Sequence, residues 1–331
     1  MKKILFVIII LSVLQSCGEK NAVYKPGSSG RINSITVVLD NKSWDNKIGD
    51  KIRALYADEF MGLPQIEERF TLKQMPYETF DGFSRTSRNI IFINKKSELD
   101  YEFQKNKFAN PQIYLEIRGT SLQSIIEQLD LSSNEAIRKF SNGEIEENKR
   151  RILKSTMNDL KPIDGFLLDI KIPSAYSLYK QEKNFIWYQK PIDKGHSNLI
   201  ITELFVGKEV FDYTIDDVTS LRDSIGRSFL LGRNENSFMI TEKEYLPLQK
   251  KVNYYGTKML ETRGTWEVQG DFMGGPFINY IVEDKVNNRV LFVEGFVFAP
   301  SKRKRDNIIE LEAIIKSVSY THLTLPTKRI V

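Results

Sequence analysis

Ile278 to Phe298 reads INYIVEDKVNNRVLFVEGFVF: two runs rich in β-branched and aromatic residues, joined by a polar centre that ends in Asn287-Asn288. Such residues fit a pleated strand, and adjacent asparagines tolerate left-handed backbone, so the stretch predicts an antiparallel hairpin. Upstream, Asn253 to Val268 supplies a further strand. Downstream, a helix from about Asp306 to Lys316 places Ile308, Leu311 and Ile315 on one face. Before these, Thr214 can cap a helix whose apolar positions Ile215, Val218, Leu221, Ile225 and Phe229 recur every three or four residues. Strand candidates precede it at Phe166 to Ile172, Ser177 to Tyr179, Asn184 to Gln189 and Asn198 to Phe205. Lys161-Pro162-Ile163-Asp164-Gly165 reads as a boundary.

The first half alternates strands and helices. Ile35 to Leu39 is a short β-branched run, and Ile48, Ile52, Leu55, Tyr56 and Phe60 share a helical face that Gly62 ends. Strands near Glu68 to Lys73, Asn89 to Asn94 and Ile113 to Arg118 are followed by helices near Leu122 to Leu129 and Asn134 to Met157. Glu144 to Arg151, mostly charged, reads as a solvated face. The expected fold class is α+β, with two units over residues 32–160 and 161–317, each a mainly antiparallel sheet covered by helices. In its order of elements the second unit is similar to the PsbP/Mog1-type α/β/α sandwich.

The N-terminus predicts where the protein resides. Lys2 and Lys3 precede the apolar run Ile4 to Leu14, which is too short to span a bilayer, and Leu14-Gln15-Ser16-Cys17 closes it as a lipobox, with Gln15 in place of the usual small residue. Residues 1–16 are expected to be a signal peptide and Cys17 a lipidated, palmitate-bearing N-terminus. Residues 17–31, polar and turn-rich around Lys25-Pro26-Gly27-Ser28-Ser29-Gly30, are expected to form a tether with a reach of about 20 Å. No second cysteine exists, so a disulfide is excluded and the core must stabilise the fold unaided.

The other terminus reads differently. Val318-Ser319-Tyr320-Thr321-His322-Leu323-Thr324-Leu325-Pro326-Thr327 back-translates into a transposase sequencing adapter, and it follows neither the helical nor the strand period. Residues 318–331 are expected to be a non-native tail outside the packed body. Without both terminal segments the chain loses Lys2, Lys3, Lys328 and Arg329, four of its 48 basic residues, and none of its 43 acids. A net charge of about +1 then remains, which gives no argument for nucleic acid as a partner.

Most catalytic signatures are missing: there is no His-Glu-x-x-His, Gly-x-Ser-x-Gly, Walker loop, dinucleotide fingerprint or EF-hand loop. His196, in a Lys194-Gly195-His196-Ser197 turn, reads as an exposed loop histidine, and neither a metal nor another cofactor is implied. Unusual residues cluster late in the chain, at Arg263-Gly264-Thr265-Trp266, Gly274-Gly275-Pro276-Phe277 and Glu294-Gly295. Arg263, Trp266, Gly274, Gly275 and Glu294 form the candidate ligand site, since glycines beside Trp and Arg let a ligand approach backbone and Arg offers a planar fork to an anion. The competing structural reading makes the glycines bulges, Trp266 core and Arg263 a cross-strand partner of Glu294. Trp187 reads as core or as an aromatic platform.

Trp44, Gly49-Asp50, Leu63-Pro64-Gln65, Arg88-Asn89-Ile90-Ile91, Pro111-Gln112, Ile172-Pro173, Trp187, Arg263-Gly264-x-Trp266, Gly274-Gly275-Pro276-Phe277 and Glu294-Gly295 with Ala299-Pro300 together resemble the DUF4837-type lipoproteins of Bacteroidota, over Cys17 to Ser317. The resemblance implies an envelope lipoprotein and carries over no catalytic residue. The expectation is a noncatalytic binding or assembly role at the periplasmic face of the outer membrane. Its partners would be the membrane, through the lipid, and an envelope protein or glycan. The alternative is a hydrolase or transferase that uses Glu294 or another carboxylate with Arg263.

Overall fold

A strand that is apolar at nearly every position needs cover on both faces, and this requirement organises the protein. The computed structural model describes residues 24–95, 98–158, 163, 166, 168–204 and 208–320. Its first sheet contains β1 (Ser34–Val38), β2 (Thr71–Met75), β3 (Asn89–Asn94), β4 (Asp100–Lys105) and β5 (Ile113–Arg118), in the order β2-β1-β3-β5-β4. Ile35, Val37, Ile91 and Leu115 pack on one face under the helices α1 (Lys47–Tyr56) and α2 (Leu122–Ile152), while Val38, Ile90 and Tyr114 meet Phe80 on the other.

Here the structure departs from the antiparallel expectation: β2, β1, β3 and β5 run parallel, and only β4 is antiparallel to its neighbour. The links from β1 to β2 and from β2 to β3 are long crossovers, which return a strand in the same direction where a hairpin would reverse it. The alternating segment of β4 was not among the expected strands.

The second sheet is antiparallel throughout. β7 (Ser177–Glu182), β8 (Phe185–Ile192), β9 (Gly195–Leu204), β14 (Arg289–Phe298), β13 (Gly274–Asp284) and β12 (Thr257–Val268) lie side by side, and β10 (Met239–Thr241) and β11 (Leu248–Tyr254) pair with opposite ends of β12. The β13–β14 hairpin forms as expected, with Asn288 left-handed at φ 49° in a loop of residues 285–288. α3 (Ile215–Phe229) covers one face, held at its start by the expected Thr214 cap, which forms a capping box with Asp217. α4 (Arg305–Ile315) covers the other through Ile308, Leu311 and Ile315.

The two helices expected within 122–157 are one. Ser132 and Ser133, residues that often end helices, donate their hydroxyls to the carbonyls of Gln128 (2.7 Å) and Asp130 (2.8 Å), so they stay in the turn. The resulting helix is about 46 Å long at 1.5 Å per residue. Its residues up to Phe140 place Ile125, Leu129 and Phe140 in the core of the first sheet, and its remaining turns place Ile145 and Ile152 in that of the second.

The solvated face expected at Glu144 to Arg151 is also corrected. Glu144 is 1% exposed and binds Arg88 through two bonds (2.8 and 3.1 Å), while accepting the Asn33 backbone N–H at 2.8 Å. The late part of the expected tether is docked rather than free. Ser28 and Ser29 donate backbone N–H groups to the carbonyls of Asn110 (3.3 Å) and Thr86 (2.8 Å), and Asn110 donates to that of Pro26 (2.9 Å). Extended backbone can be held this way without apolar side chains, so composition gave no warning. At the far end, Val318 packs against the second core and Ser319–Tyr320 (β15) pairs with Leu168–Asp169 (β6), so the expected tail begins inside the body. Cys17 and residues 321–331 lie outside the described residues.

Candidate ligand cleft at the junction of the two units

Strand alternation decides which candidate residues can meet, because neighbouring positions point to opposite faces. Trp266 and Glu294 face α3. Trp266 is 2% exposed and packs edge-on against Phe296 with ring centroids 5.7 Å apart. Glu294, 1% exposed, accepts two bonds from Arg222 of α3 at 2.7 and 2.8 Å, and Arg222 also donates to Thr241 (2.6 Å) and stacks on Phe277 at 3.6 Å. Gly275 lets β14 come close, since a Cβ there would lie 2.0 Å from the Val297 carbonyl oxygen. Gly274 lies at the exposed start of β13.

Arg263 points the other way, toward α4. It donates to Glu261 at 2.6 Å and to Glu312 at 2.6 Å. The sheet therefore separates Arg263 from Trp266 and Glu294, and the cross-strand partner expected of Arg263 is replaced by Glu312 from a helix. Trp187 is half-buried against Tyr179 and donates its indole N–H to Asn198 at 3.0 Å. His196 is exposed as the second residue of β9 rather than in a loop.

Around Arg263 the acids and bases form a closed network. Tyr280, fully buried, donates its hydroxyl to Glu261, and Lys316 binds Glu312 one helical turn away. Burial works to raise the Glu312 carboxyl, but the charges of Arg263 and Lys316 outweigh it and hold the group at about 2. Burial and the negative charges of Glu312 and Glu261 push the Tyr280 phenol well above the usual tyrosine value. Burial opposes the charge of Arg263, yet the same two carboxylates keep it protonated.

This network forms one wall of a cleft of about 740 Å³ between the units. The first unit contributes Phe60, Met61 and Arg69 with Asn134, Arg138 and Asn142 of α2, and the second contributes Lys250 and Tyr254 of β11. Six cationic side chains line it against three carboxylates, so its field is positive, a local excess beside the net charge of +5 of the whole chain. Arg263, Lys316 and Arg69 are paired, whereas Arg138, Lys250 and Lys251 are exposed and have no ion pair among the described residues. The arrangement can hold an anion. Among the described residues no group of three or more His, Cys, Asp or Glu side chains is placed to hold a metal ion.

The junction itself is tied by specific bonds. Glu67 of the first unit accepts the backbone N–H groups of Lys304 (2.7 Å) and Arg305 (3.1 Å), capping α4, whose own N-cap side chain makes no such bond. Asn33 donates to Asp306 at 2.8 Å, and Tyr254 of the second unit donates to Glu146 of α2 at 2.8 Å. Sequence reasoning missed Glu261, Tyr280, Glu312, Arg138 and Lys250. Only the Glu312–Lys316 spacing of four, which suits an ion pair on a helix, offered a local signal.

The fold and site thus define a two-sheet α+β protein with a cationic cleft at its junction. Residues 155–317 belong to the family described as "Domain of unknown function (DUF4837)". Residues 28–153 match a second description, "Domain of unknown function (DUF8532)", so the family resemblance expected over Cys17 to Ser317 divides at the end of α2. No curated protein matches the chain. Among solved structures it is similar to PsbP (CyanoP) from Synechocystis sp. PCC 6803. That likeness has 12% identity and a TM-score of 0.32, and covers 50% of this chain and 92% of that one. It is also similar to LpqN, involved in cell envelope biogenesis of Mycobacterium tuberculosis (9% identity, TM-score 0.27, 47% and 83% covered), and to a STAR-related lipid transfer protein from Xanthomonas axonopodis (11% identity, TM-score 0.21, 43% and 96% covered).

Proposed function

We propose that this protein is a membrane-anchored envelope lipoprotein with a noncatalytic binding role, and that its ligand or partner sits in the cleft between the two units. The cleft carries the reading: a concave site of ligand-pocket size, with three exposed cations left without an ion pair among the described residues. The lipobox at Cys17 supports the anchor, and the periplasmic face of the outer membrane is the location proposed for the body. Among the described residues no helix is long and apolar enough to cross a membrane. A hydrolase or transferase built on Glu294 with Arg263 has no geometric support, because the two lie on opposite faces and each is occupied by an ion pair.

Two measurements test the proposal. Cys17→Ser is expected to release the protein from membranes or to leave it as an unprocessed precursor, and normal processing with full membrane retention contradicts the anchor. In pull-downs from cross-linked envelopes, a defined envelope component should co-purify with the wild type and be lost with Arg138→Glu/Lys250→Glu. An unchanged capture profile contradicts the cleft as its seat.

A further inference from the structure

The cleft does not end at Tyr254. A second chamber of about 580 Å³ lies beyond it, and the two share Tyr254, Tyr255 and Lys316 as a common wall. Their linings differ in kind. Ile152, Leu153, Met259, Val282 and Val318 line the second chamber, together with Lys149, Lys171 and Lys316, and among the described residues no carboxylate belongs to its lining. The first chamber is the more polar and holds three exposed cations without ion pairs among the described residues, Arg138, Lys250 and Lys251. A largely apolar chamber whose charged side chains, among the described residues, are all cationic lies beside a polar cationic one, and the pair is complementary to a molecule that is apolar at one end and anionic at the other.

We propose that the junction binds a single-chain anionic amphiphile, with its alkyl chain among Leu153, Met259 and Val282 and its carboxylate or phosphate head past Lys316, toward Arg138 and Lys250. This rests on the junction being the binding seat and adds the chemistry of its occupant. An acidic oligosaccharide would match the first chamber but would leave the apolar lining of the second without a role. Leu153 is 60% exposed at the end of α2 and Lys250 is exposed on β11, so both can be replaced without disturbing a core.

Calorimetric titration of the full-length Cys17→Ser protein, which lacks acyl chains of its own, tests the inference with four probes: decanoate, decyl phosphate, decanol and oligogalacturonate. Decanoate or decyl phosphate should bind at least about tenfold more tightly than decanol, and the preference between the two acids identifies the head group. Leu153→Glu and Lys250→Glu, each added separately, should both weaken that binding by about tenfold with melting temperature unchanged. Equal binding of decanol, insensitivity to Leu153→Glu, or selective binding of oligogalacturonate overturns the proposal. If no probe binds while the envelope pull-down remains sensitive to Arg138→Glu/Lys250→Glu, the amphiphile is wrong and the binding role stands.

Discussion

Glu294 stood out in the sequence as a carboxylate beside glycine, and its burial changes what its removal should do. In Glu294→Gln the Arg222 guanidinium stays buried with its charge uncompensated, which costs about 3–5 kcal/mol. A clear fall in melting temperature is therefore expected, and an unchanged one would return Glu294 to the list of reactive groups. Glu312 carries a pH signature. Its folded pKa of about 2 lies below the ordinary value, so its stabilising contribution is complete above about pH 4.5 and is lost as pH falls toward 2. That contribution is on the order of 3 kcal/mol. Denaturant melts of the wild type and Glu312→Gln should differ most near neutrality and converge at acid pH; parallel curves would mean that the carboxylate does not titrate as described. Neither role was legible in the sequence, because each depends on a helix residue brought onto a strand dozens of positions away.

At the scale of elements, much was readable. The Asn287-Asn288 hairpin, the Thr214 cap and the closing helix follow from local turn chemistry and apolar spacing, and they formed where expected. The readings that failed depended on partners. The β1, β3 and β5 segments are apolar at successive positions, which signals cover on both faces but not the direction of pairing. Glu144 looked solvated because its counter-charge, Arg88, is 56 residues away. The most consequential link between elements is the capping of α4 by Glu67. Glu67→Ala removes a charged acceptor from two helix N–H groups and should destabilise the protein by about 1–3 kcal/mol. Hydrogen exchange should then accelerate at the first turn of α4 more than in β13; uniform acceleration would show that the cap is not what ties the units there.

For the whole molecule, α2 is the common structural member. Each buried Ile or Phe it contributes is worth about 1.5–3 kcal/mol, and it contributes to both cores. The cleft exists because this helix, the Glu67 cap and the Tyr254–Glu146 bond set the two sheets around a shared junction. Its lining comes from residues near positions 60, 140, 250 and 312, a combination that no periodicity or motif could announce. The central claim is that this junction is the binding seat, and site-specific photo-crosslinking in cells tests it most directly. A photoreactive residue replacing Tyr255, 87% exposed on the cleft wall, should give one dominant adduct with an envelope component. The same residue replacing Leu231, 68% exposed and lining neither chamber, should not. Equal adducts from both positions, or an adduct from Leu231 alone, would contradict the account.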